Sequence, residues 1–133
     1  MIPALNEFGC LPPGVYSGTL EEIEARFGLA SEVRQSQMES IRWMLDLARR
    51  AGVQRIVLNG SFVTDIIEPN DVDCALLFDP RHPRDSEAFE TLGEGLPFLD
   101  IKLTEQEEFD DFVNSVYATD REGMAKGMVE LVV

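Results

Sequence analysis

Apolar residues along this chain change their rhythm near residue 53. Before it they recur at helical spacing. Leu20, Ile23 and Phe27 mark one side of a short helix that begins at Thr19, where TLEE has the form of a capping box, and ends at Gly28. Ile41, Met44, Leu45 and Ala48 make the stripe of a longer helix from about Ser31 to Ala51, with Trp43 beside it and Gly52 as its stop. After that point apolar residues gather into short solid blocks bounded by polar or turn residues. Gln54 to Leu58, Val72 to Phe78 and Pro97 to Leu103 read as three strands, the first apolar enough to be covered on both sides. A polar segment with a helical turn or two around Ser86 to Leu92 separates the second from the third. An acidic helix over Thr104 to Ala118 turns Phe109, Phe112, Val113 and Val116 inward, and Met128 to Val133 is a final strand. Pro3, Pro12, Pro13 and Gly14 punctuate the first 17 residues, which read as an irregular arm. The pattern predicts one α/β domain over residues 1–133, with residues 1–18 as the arm.

The strand pattern contains an anomaly. Asp71 and Asp73 alternate with Val72 and Cys74, so on a strand both carboxylates share a face. Side by side they repel unless a cation or a proton intervenes. Ten residues earlier stand Gly60 and Ser61, directly after an apolar block. Glycine lets backbone approach a ligand, and the amides of Ser61 and Phe62, if they open a short helix, face a phosphate, with the Ser61 hydroxyl as a further donor. Asp100, between Leu99 and Ile101, is a charge in an apolar strand and needs a partner. If the strands are neighbours, Asp71, Asp73 and Asp100 could hold two Mg²⁺ ions about 3.5–4 Å apart. Lys102, on the same strand face as Asp100, could then reach a phosphate of an NTP.

Each part has a plainer explanation. Asn59-Gly60 by itself signals a two-residue hairpin turn. Asp-x-Asp pairs are common, although an EF-hand is excluded because Ala75 and Leu76 stand at the fifth and sixth positions. Asp100 could be a salt-bridged core residue. His82, Arg81 and Arg84 read as solvated loop residues. It is the conjunction that points to metal-assisted phosphoryl-type transfer.

Composition narrows the partners. A net charge of −14 removes the general footprint expected of a nucleic-acid or anionic-membrane binder. It also suits masking of a basic surface. Cys10 and Cys74 form no CxxC pattern and are expected to be reduced thiols. No window reaches the roughly 20 apolar residues of a membrane span, and MIPALNEFGC lacks the layout of a signal peptide, so the expected location is cytoplasmic.

Gly60, Ser61, Asp71, Asp73 and Asp100 resemble the signature of the nucleotidyltransferase superfamily, the DNA polymerase β-like fold: Gly-Ser, about ten residues, an acidic-hydrophobic-acidic strand, and a third acid on a later strand. The motif covers about residues 55–103. LPPGVYSGTLEEIEARFG, GSFVTD and DREGMAKGMVELVV are similar to small stand-alone bacterial and phage members, which often carry a lysine where Ile66 stands here. The resemblance implies a small mixed sheet with helices packed on it and the metal site at its edge. It also implies NMP transfer from an NTP to a hydroxyl of a protein or RNA acceptor, within a toxin–antitoxin or defence system. A non-catalytic, antitoxin-like binding protein that keeps the fold is the alternative.

Overall fold

The computed structural model describes residues 2–81, 85–119 and 122–133. His82 and Arg84 lie outside the described residues. Arg81 does pair, with Asp79 at 3.0 Å.

The chain builds one mixed sheet covered by helices on both faces. In chain order the elements are β1 (Gly14–Gly18), α1 (Leu20–Phe27), α2 (Glu32–Ala51), β2 (Arg55–Asn59), a 3-10 turn (Ser61–Val63), β3 (Val72–Leu77), α3 (Ser86–Glu94), β4 (Leu99–Thr104), α4 (Gln106–Asp111), a π-helical turn (Phe112–Val116) and β5 (Gly127–Leu131). The strands lie in the order β1-β5-β2-β3-β4. The two outer pairs, β1–β5 and β3–β4, are parallel, and β2 runs antiparallel to β5 and β3.

Strand alternation sorts the core into two layers. Ile56, Leu58, Val72, Cys74, Leu76 and Val129 pack with α1, α2 and α3. Val57, Ala75, Leu77 and Met128, which point the other way, pack with Phe109 and Tyr117. Both faces being covered is why β2 and β3 are nearly continuous apolar runs. The capping box at Thr19 and Glu22 forms as the sequence predicts, and Ser31 caps α2.

Three expectations are corrected. The first 17 residues are not wholly irregular, because Gly14–Gly18 pairs with β5 as the sheet's edge strand. Pro12 and Pro13 lie just outside it, where no ladder hydrogen bond is lost. Gly127 makes the pairing possible, since a side chain there would run into the Pro12 carbonyl oxygen. Asn59-Gly60 is not a hairpin turn: the 3-10 turn follows, and β3 starts only at Val72. The acidic helix is not uniform. After Asp111 it widens to a π turn, with the Tyr117 amide donating to the Phe112 carbonyl at 2.8 Å. One extra residue per turn shifts the inward face by one position. Tyr117 is therefore buried in the place a regular helix gives Val116, which is 59 % exposed.

No helix among the described residues is long and apolar enough to cross a membrane. Cys10 and Cys74 are both free thiols.

Candidate active site

β2, β3 and β4 put a row of polar side chains on one line across the sheet. Asn59 is the last residue of β2 and stands opposite Asp73, the second residue of β3. Asp73 in turn stands opposite Asp100, the second residue of β4. The row shares the face of Val57 and Ala75, on the side where the π turn lies. Above it opens a cleft of about 1010 Å³ whose wall includes Asn59, Gly60, Ser61, Asp71, Asp73, Asp100 and Lys102. Every site residue expected from the sequence therefore meets in one place, with one exception. The Phe62 side chain is fully buried against Phe27, so at most its backbone faces the cleft.

Gly60 is where the backbone closes over the row. Its φ is +88°, and a Cβ there would sit 2.8 Å from the Asp73 carboxylate. Gly60→Ala should combine the left-handed penalty of about 1–2 kcal/mol with displacement of that carboxylate. Urea denaturation reads the first and loss of Mn²⁺ affinity reads the second; an alanine variant equal to the wild type in both would contradict this placement.

The loop from Ser61 to Asp71 is held from beneath by α2. Arg34, 2 % exposed, spends its guanidinium on backbone carbonyls. Nη1 donates to Phe27 at 2.8 Å and Phe62 at 2.7 Å, Nη2 to Thr64 at 2.8 Å and Ile66 at 2.5 Å, and Nε to Ile66 at 3.0 Å. Burial pulls its pKa down, and Asp65 pulls it part of the way back. Gln37 Nε2 donates to the carbonyls of Pro69 and Asn70, and the Ser31 hydroxyl donates to that of Ile67. Within the loop the Asn70 amide donates to Ser61 Oγ at 3.0 Å, which fixes the hydroxyl at the cleft wall. The N-terminal arm adds an outer tie, the Asp65 amide donating to the Gly9 carbonyl.

Electrostatically the row is unsettled. Burial first, and then the charge of Asp100, push the Asp73 carboxyl above its ordinary value; Lys126 and Lys102 draw it back, and Asp71 adds a small push upward. Lys102 Nζ lies 3.2 Å from Asp100 Oδ1, so its first partner is this carboxylate. Cys74, fully buried on the opposite face, is held as the thiol by burial and by the charges of Asp73 and Asp100. Burial first, and then the charges of Asp73 and Asp100, likewise keep the Tyr117 phenol protonated. Among the described residues no three His, Cys, Asp or Glu side chains stand close enough together to enclose a metal ion as they are placed. What they offer is hard oxygen donors at one end of neighbouring strands, beside a glycine whose missing side chain leaves them room. That donor chemistry fits Mg²⁺ or Mn²⁺.

Asn59, Lys126 and Tyr117 are among the cleft residues that the sequence pattern did not point to. Asn59 was legible, as a lone amide ending the apolar block RIVL, but it reads as turn chemistry while the strand is taken to stop at Leu58. Lys126 carries no motif. Tyr117 was hidden by the π turn, which places it with Phe112 and Val116 on the cleft's apolar wall.

No curated protein and no solved structure matches the chain. Residues 3–132 match a family of unknown function, DUF6932, and the chain belongs to that family.

Proposed function

We propose that this protein is a divalent-metal-dependent nucleotidyltransferase that moves an NMP from an NTP to a hydroxyl group of a protein or RNA acceptor. The observation that carries this reading is the in-register pair Asp73–Asp100 roofed by Gly60. Adjacent strands are about 4.8 Å apart, a spacing at which two carboxylates can share or bracket a cation.

In the proposed reaction the acceptor hydroxyl gives up its proton to solvent as its oxygen bonds to the α-phosphorus, the bond from that phosphorus to the bridging oxygen breaks, and pyrophosphate leaves with the electron pair. Asp71, Asp73 and Asp100 would hold Mg²⁺, which supplies the positive charge that acidifies the acceptor hydroxyl and offsets the charge of the pyrophosphate. Asp100 is exposed on the edge strand, where an incoming acceptor meets it first. Ser61 offers its hydroxyl, and the amides of Ser61 and Phe62 open the 3-10 turn that faces the phosphates. Lys102 and Lys126, which counter the carboxylates in the metal-free protein, are placed to turn to phosphate once a cation takes over that role. Phe112, Val116 and Tyr117 give an apolar wall against which a base can lie. A cytoplasmic location, where Mg²⁺ and NTPs are plentiful, belongs to the same proposal.

Incubation with each α-labelled NTP in a lysate of the host, followed by separation of protein from RNA, tests the reading. Label on a macromolecule in a Mg²⁺-dependent manner supports it; no transfer from any of the four NTPs contradicts it.

The Lys102–Asp100 ion pair and the net charge of −14 favour a second reading, regulation by contact with a basic partner protein. Tight binding of such a partner without nucleotide or metal distinguishes it.

A further inference from the structure

Buried polar atoms in folded proteins almost always have a partner, and one that does not calls for an explanation. Among the described residues two such atoms stand out, Gln37 Oε1 and Asn59 Oδ1. Gln37 explains itself, because its nitrogen is fully engaged in pinning Pro69 and Asn70, and the oxygen is left over. Asn59 has no such task. An asparagine at a turn ordinarily bonds nearby backbone, yet Oδ1 of Asn59 makes no such bond. Asn59 is 4 % exposed and forms part of the cleft wall, while Oδ1 itself is closed off from solvent; a half-turn of the amide about its last bond exchanges the places of its oxygen and nitrogen. Its position is the first in the row that continues through Asp73 and Asp100.

A neutral oxygen that is buried, unpartnered and aligned with two carboxylates is a costly feature in the free protein and a useful one beside a cation. Its cost is met when a bound group accepts its lone pairs. Carboxamide oxygens are ordinary ligands of hard divalent cations, and a neutral one adds a donor without adding to the repulsion between Asp73 and Asp100. We propose that Asn59 Oδ1 is an oxygen donor to the divalent cation that Asp73 and Asp100 hold. This rests on the metal-dependent reading above, and it adds to that reading a residue outside the acidic signature.

The test uses the full chain and MnCl₂ alone, followed by calorimetry and by thermal unfolding without metal. Asn59→Leu keeps the side-chain size and removes the orphaned oxygen. It should melt at a higher temperature than the wild type while binding Mn²⁺ at least about tenfold more weakly, the scale on which supporting groups tune metal affinity. A residue serving only the fold would not move the two readouts in opposite senses. Asn59→Asp, which guards against a misfolded leucine variant, should bind Mn²⁺ more tightly than the wild type and melt lower without it. Wild-type Mn²⁺ affinity in both variants overturns the role of Asn59 and leaves the metal-dependent reading standing. Absence of Mn²⁺ binding by the wild type overturns that reading, and the role of Asn59 with it.

Discussion

Arg34→Met is expected to destabilise the protein by about 3 kcal/mol or more, since a buried acceptor left without its donor costs about 1–3 kcal/mol and several are left together. Five hydrogen bonds to four backbone carbonyls disappear together, and those of Phe27, Phe62, Thr64 and Ile66 lose a donor that the methionine side chain does not replace. Methionine keeps the packing of the stem, so the loss reports the guanidinium. Arg34→Lys should recover only part, because an ammonium on a flexible stem does not reproduce a planar fork aimed at four separate acceptors. Set against a total stability of about 5–15 kcal/mol for a domain, this is a large fraction. Urea denaturation measures it, and hydrogen exchange adds position: amides of residues 62–70 should lose protection before those of β2 and β3. A methionine variant within about 1 kcal/mol of the wild type would falsify the view that α2 holds the loop.

Asp73→Asn is expected to separate stability from function. Transfer should fall by about a hundred- to a thousandfold, the effect of removing one fixed electrostatic contact to a developing charge. Stability without metal should rise. Because the folded-state pKa of Asp73 lies above the unfolded one, folded protein binds more protons than unfolded protein in the window between an ordinary carboxylate value of about 3.9 and the raised value. The Asp73 contribution therefore falls as pH climbs through that window and stays low above it. Unfolding free energies measured from about pH 3 to 7 should show the wild type losing ground to the asparagine variant, then running parallel to it. Curves parallel throughout would mean that Asp73 feels neither burial nor Asp100. Added Mg²⁺ should reverse the order at neutral pH by stabilising only the wild type.

The sequence makes the site more legible than its surroundings. Gly60, Ser61, Asp71, Asp73 and Asp100 could be brought together because each breaks its local pattern: a glycine after an apolar block, and carboxylates inside apolar strands. The sheet then places Asp73 and Asp100 side by side, a contact that strand periodicity allows and only register fixes. Both helical stripes before residue 53 were legible for the same reason, since their caps at Thr19, Ser31 and Gly52 agree with their periodicity. β1 was not. GVYSG is short and glycine-flanked, and what makes it a strand is a partner more than 100 residues away in the chain. Nor could periodicity give Tyr117, because a π turn changes the period itself. Asn59 and Lys126 belong to the cleft through tertiary placement, although the unpartnered amide of Asn59 gives that placement a chemical consequence.

Calorimetric titration of the wild-type protein with each NTP, with and without Mg²⁺, bears most directly on the acidic row at the ends of β2, β3 and β4. The account predicts that at least one NTP binds with Mg²⁺ present, binds far more weakly without it, and gains little from Mg²⁺ in Asp73→Asn. Binding of the same strength with and without the metal, or no binding of any NTP, would contradict it.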